Sequence, residues 1–118
     1  MKTPDLRKQR GDDAETLAVH ELERAGYSIV DRNYRCRLGE LDIVARDGNT
    51  LVFVEVRSRA DDDRGSALAT VTYRKQRQVA KVAKVYLAHR KPAFDECRFD
   101  VIGVTDGELV HIKAAFRA

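Results

Sequence analysis

Residues 39–59 read GELDIVARDGNTLVFVEVRSR. Two β-rich runs, Glu40–Arg46 and Leu51–Ser58, flank Asp47-Gly48-Asn49-Thr50, a set of turn-forming residues that predicts a hairpin. Leu51 to Val56 is apolar throughout except at Glu55, the pattern of a central strand buried on both faces. A carboxylate in such a run needs a cation or hydrogen-bond donors, because burying an unpaired charge is costly. Side chains alternate along a strand, so Glu55, Arg57 and Arg59 share a face with Leu51 and Phe53. On the preceding strand Glu40, Asp42 and Val44 share a face.

Loop length decides whether those faces coincide. If Gly48 and Asn49 form the loop, Asp47 pairs with Thr50, Asp42 lies opposite Glu55, and Glu40 lies opposite Arg57. A four-residue loop from Asp47 to Thr50 keeps that register. An Asp47-Gly48 loop leaves Asp42 and Glu55 diagonal on one face, and a bulged three-residue loop would separate them. Directly opposed residues have Cβ atoms about 4.5–5.5 Å apart. Two carboxylates that close repel unless one is protonated or a cation lies between them. Few, hard oxygen ligands with room for water suit Mg²⁺ or Mn²⁺.

Outward from the hairpin, Ala14, Leu17, Ala18, Leu22 and Ala25 recur at helical spacing within a segment from Leu6 to Ala25, and Gly26 follows as a stop. Residues 1–8 read as a flexible N-terminus. Tyr27 to Asp31 is a short strand candidate, and Ala60 to Ser66 is a polar, acidic loop. Thr70 to His89 predicts a second helix with the stripe Val79, Val82, Ala83, Tyr86 and Leu87, its lysines 75, 81 and 84 elsewhere on the surface. Pro92 closes it. Arg98–Val104 and Leu109–Ile112 are strands around Asp106-Gly107. The order predicts one α/β domain over residues 1–118, with a mixed central sheet flanked by helices.

The chain has 118 residues, 43% hydrophobic and 35% charged, with a formal net charge of only +3. Distribution says more than the sum. No acidic residue lies between Asp63 and Asp95, a window that carries Arg64, Arg74, Lys75, Arg77, Lys81, Lys84, Arg90 and Lys91. Arg32, Arg35 and Arg37 form a smaller cluster. Such one-signed stretches attract polyanions, although many are merely solvated faces. No stretch has the apolar length of a membrane span, and the N-terminus lacks the apolar middle of a signal peptide, so a cytoplasmic protein without a membrane partner is expected. Cys36 and Cys97 lack metal-ligand spacing and read as ordinary thiols. His20, His89 and His111 show no ligand spacing and read as non-catalytic.

Asp42, twelve intervening residues and then Glu55-Val56-Arg57 resemble the motif of the PD-(D/E)xK nuclease superfamily, the restriction-endonuclease-like fold. The fuller ordered set is more specific. Gly39–Ala45, Val52–Arg59 and Arg98-Phe99-Asp100-Val101, with Gly11, Glu15 and Asn33-Tyr34-Arg35, resemble the YraN family of small bacterial proteins over residues 10 to 112. The resemblance implies an endonuclease-like protein akin to Holliday-junction resolvases. Asp42 and Glu55 then correspond to the metal carboxylates, Glu15 to the acidic residue of the first helix, and Arg57 to the superfamily lysine. Arginine effectively never loses its proton, so Arg57 could orient water or phosphate but could not act as a base. General-base work would fall to a carboxylate, a substrate phosphate or solvent activated by the metal, with Lys75 a substitute cation.

The first functional expectation is therefore Mg²⁺- or Mn²⁺-dependent hydrolysis of DNA phosphodiesters, at branched or single-stranded sites. Asp42, Glu55, Arg57, Glu40 and Glu15 would form the site, and Arg32, Arg35, Arg59, Arg74, Lys75 and Arg77 would grip phosphates, giving weak sequence preference. The alternative is a weakly active or inactive DNA-binding accessory module serving a DNA-processing partner, which the loss of the motif lysine favours. An RNA-directed enzyme is a third. Resolvases act as dimers because two symmetric cuts need two sites, so a homodimer is an expectation by analogy. The plain structural readings are an ion-pair ladder through Glu55, Arg57 and Glu40, a capping box from Asp12 to Glu15 if the first helix starts there, and Asp100 as support for an arginine.

Overall fold

The computed structural model describes the backbone of residues 6–59 and 71–117 and the side chains of 13–58 and 71–117. The order is α1 (Leu6–Arg24), β1 (Ser28–Cys36), β2 (Gly39–Asp47), β3 (Thr50–Arg59), α2 (Tyr73–Arg90), β4 (Glu96–Thr105) and β5 (Glu108–Phe116). The expected acidic loop at Ala60–Ser66 lies outside the described residues, as does Thr70. Helix α1 begins at Leu6, so residues 6–8 belong to it.

The five strands lie side by side in sequence order. Neighbours are antiparallel except β3 and β4, which run parallel because α2 carries the chain back across the sheet. Central β3 is the apolar run read above: Leu51, Val52, Phe53, Val54 and Glu55 are all at most 2% exposed. Helix α1 sets Ala14, Ala18, Val19 and Leu22 against Ile43, Val52, Val54 and Ile102 on one face. Helix α2 sets Val79, Val82, Ala83 and Tyr86 against Val44, Leu51, Phe53 and Val101 on the other. This is the mixed α/β sheet flanked by two helices that the pattern predicted, and it is compatible with a restriction-endonuclease-like fold.

The β2–β3 loop is Gly48-Asn49, with Asp47 paired to Thr50. Gly48 takes φ +61° at the first loop position, where glycine pays no Cβ penalty. Strand β1 is longer than Tyr27–Asp31. Its pairing with β2 shifts between Ile29 and Asp31, and Asn33 sits at φ +55°. Those two irregularities erase the alternation by which a strand is read. At the far end of the sheet, fully buried Asp100 accepts from Arg98 Nε (2.9 Å) and Nη2 (3.1 Å) and from the Ala114 N–H (3.0 Å), and it lies 2.7 Å from His111 Nε2. Arg98 also donates to the Tyr27 hydroxyl at 2.7 Å, tying β4 and β5 to the turn after α1. Burial pushes the Asp100 carboxyl up, but these bonds outweigh burial and hold it below the usual range.

Candidate functional site

The hairpin pairing ends at Ile43 and Val54, and Asp42 and Glu55 are the next residues on the two strands. There the backbone ladder stops and side chains take over. Asp42 Oδ2 accepts the Val56 N–H at 2.9 Å, and the Asp42 N–H points to Glu55 Oε2 at a long 3.5 Å. Each strand thus supplies a carboxylate that holds the other strand's main chain, and the two acids are fixed where β2 and β3 part.

Two cations face this pair. Arg57 Nη2 lies 3.6 Å and Lys75 Nζ 3.8 Å from Glu55 Oε1. Lys75 gets there because of how α2 begins. Thr72 is the N-cap, its hydroxyl accepting the Lys75 N–H at 3.2 Å, which sets Lys75 in the first turn. From there Lys75 heads the same stripe as buried Val79, Val82 and Tyr86, so its amine is aimed at the sheet. Arg57 keeps one donor unused: its Nε is buried and has no acceptor among the described residues.

Burial and then the charge of Asp42 push the Glu55 carboxyl up to about 7, against the partial relief from Lys75, Arg57 and the Asp42 N–H. Asp42 is raised by burial too, although the Val56 N–H and Arg57 oppose it. Two cations therefore do not fully compensate a buried acid beside a half-buried one.

Glu15 is in the interior of α1, nine residues past the helix start at Leu6, so the capping-box reading fails. Its Oε1 instead receives Arg32 Nε and Nη2, both at 3.3 Å. Burial raises the Glu15 carboxyl, with the Arg32 hydrogen bond opposing and the Asp42 charge adding a smaller push upward. Glu40 turns to β1, its Oε2 3.1 Å from Arg35 Nε, so the ladder reading of Glu40 with Arg57 gives way to this exposed pair. Arg32 and Arg35 are exposed on β1, and Arg74 and Arg77 on α2, whereas Lys75 is turned inward. Arg59 ends β3 beside Thr105. Among the described residues no group of three or more His, Cys, Asp or Glu is placed to hold a metal ion. The inward aim of Lys75 was the feature the sequence hid. Counting the α2 stripe back four residues from Val79 would have found it.

An ordered carboxylate pair on a hairpin with a first-helix acid covers most of the chain, and so does the match to known proteins. The model of the uncharacterised protein family UPF0102 matches residues 14–104. The chain belongs to the UPF0102 family. UPF0102 proteins of Lachnoclostridium phytofermentans and Serratia proteamaculans are 46% identical over 113 residues and 50% identical over 106. The alignments cover 95% and 88% of this chain and 96% and 91% of those proteins. A UPF0102 protein of Geobacter metallireducens is 48% identical over 114 residues. The hairpin, α2 and the Arg98–Asp100 segment fall inside the matched region, and His111 and Ala114 lie beyond it.

Proposed function

We propose that the protein is a metal-dependent DNA phosphodiesterase of the PD-(D/E)xK type, akin to junction resolvases. The observation that carries this is the Asp42–Glu55 pair, one acid buried and the other half-buried, mutually repelling and flanked by Arg57 and Lys75. The donor set fits Mg²⁺ or Mn²⁺: two hard carboxylates, no closed cage, and charge left over. Asp42 and Glu55 would hold the ion, with Glu15 at its margin. When bound, such an ion neutralises charge building on the phosphoryl oxygens and lowers the pKa of water. Hydrolysis joins the water oxygen to phosphorus as one P–O ester bond breaks, and the water's proton ends on the departing alkoxide. Arg57 keeps its charge throughout, so its part is electrostatic. Lys75 stands where the motif lysine is missing and can exchange a proton as arginine cannot.

A second reading is an accessory DNA-binding module, favoured by Arg57 in the lysine position and by the absence of a third ligand among the described residues. One experiment separates them. Plasmid, single-stranded and four-way-junction DNA are incubated with the protein in Mg²⁺, Mn²⁺ or EDTA, beside Asp42→Ala and Glu55→Ala. Metal-dependent cleavage lost in both variants is expected. Tight DNA binding without cleavage in any metal would sink the enzyme and leave the module.

A further inference from the structure

The outer side of α2 carries a feature that the carboxylate site does not use. Tyr73, the first residue of the helix, is 73% exposed, more than any other exposed large hydrophobic among the described residues. One exposed ring is ordinary; its surroundings are not. The guanidinium of Arg77, one turn on, lies over the ring at 5.9 Å from its centroid. Tyr73 is also the ridge between two grooves. One, of about 700 Å³, runs between α2 and the β1–β2 turn, with Leu38, Arg74, Gln78 and Lys81 in its wall. The other, of about 460 Å³, lies on the far side and adds Lys84 and Arg117. Among the described residues no acidic side chain lines either groove.

The helix start that carries the ring is anchored. Thr72 caps the helix directly before it, and Gln78 Nε2 donates to the Leu38 carbonyl at 3.1 Å, pinning the β1–β2 turn against α2. A duplex offers such a surface only phosphates, which leave the ring idle. A single strand offers phosphates and open base faces together, and an exposed aromatic between cationic channels matches both.

We propose that Tyr73 and Arg77 clamp one unpaired base, with the flanking phosphates of a single strand running past Arg74 and Lys81 on one side and Lys84 on the other. The proposal rests on the nucleic-acid reading of the carboxylate site and names its substrate: DNA with single-stranded character. Lys75 reaches Glu55 from the inner side of the same helical turn. The clamp and the reacting centre therefore lie on opposite sides of one helix, about 10–12 Å across.

The test is fluorescence anisotropy in EDTA with a short unstructured single strand carrying 2-aminopurine and with a duplex of equal length. Wild type, Tyr73→Ala and Tyr73→Phe are compared, with thermal melts as the folding control. Losing the ring is expected to weaken single-strand binding roughly tenfold to a hundredfold and to abolish 2-aminopurine quenching, with duplex affinity changed by less than about twofold. Tyr73→Phe should restore both signals. Equal loss on single strand and duplex, or no loss on the single strand, overturns the clamp and leaves the nuclease reading standing. Wild type that binds neither DNA overturns the nucleic-acid reading itself.

Discussion

Glu55 has 2% of its surface exposed, and its carboxyl is displaced from 4.5 to about 7 by burial and by Asp42. In the unfolded chain it ionises near 4.5. Between those values the folded protein holds the extra proton, so stability falls as pH rises through the window and stays reduced above 7. The shift corresponds to roughly 3 kcal/mol, part of which Arg57 and Lys75 would lose if the charge were removed. Glu55→Gln should therefore stabilise the protein by about 1–2 kcal/mol at pH 8 and by close to nothing at pH 4, read by urea unfolding at both values. Mn²⁺ should raise the melting temperature of the wild type at pH 8, and Asp42→Asn should abolish that rise. Lys75→Arg separates charge from proton transfer. It keeps the cation near Glu55, so a fall in cleavage of roughly a hundredfold with DNA affinity retained would assign Lys75 a proton-transfer role. Asp42 and Glu55 were legible because a two-residue turn makes register a matter of counting. Lys75 was not, because a charged residue heading an apolar stripe is ordinarily read as surface. Glu40 was misplaced because strand alternation does not say where a ladder ends.

The elements are locked to one another at few points. Gly39 takes φ +144°, which strains any residue with a Cβ, and a Cβ there would also displace the end of the Gln78 side chain, whose Nε2 it would meet at 2.9 Å. Gly39→Ala should therefore cost about 1–3 kcal/mol and loosen the β1–β2 turn from α2, measured by unfolding. Thr72→Ala removes the cap that places Lys75, and should cost about 1 kcal/mol while lowering cleavage more than stability explains. At the other end, Asp100→Ala strands Arg98 and His111 beside a buried cavity, and a loss of about 3–5 kcal/mol is expected. Helices α1 and α2 were legible from periodicity and stop signals. Strand β1 was legible only at its start, Tyr27–Asp31, because Val30 falls at a register shift and Asn33 turns the chain with a positive φ, so Arg32 and Tyr34 do not share a face as strand residues two apart should.

Over the whole molecule, two helices cover opposite faces of one sheet, and the carboxylates sit where that sheet begins to open. No described helix is long and apolar enough to cross a membrane. Charge is arranged rather than abundant: a net +3 coexists with an α2 that has no acidic residue. Affinity for duplex DNA should fall steeply with salt, and each of Arg74→Ala and Lys81→Ala should reduce the slope of log K against log salt by about 0.9. The fold class was legible because hydrophobic runs and turn residues alternate cleanly around β3. The site's margin with α1 was not, since Glu15 meets Arg32 only through folding. The N–H groups of Val56 and Asp42 are held by carboxylate oxygens instead of main-chain carbonyls. Their chemical shifts and deuterium exchange should therefore act as built-in gauges. Protonating Glu55, or drawing either acid toward an ion, loosens these two amides first, while Val54 and Phe53, held in the ladder, stay silent.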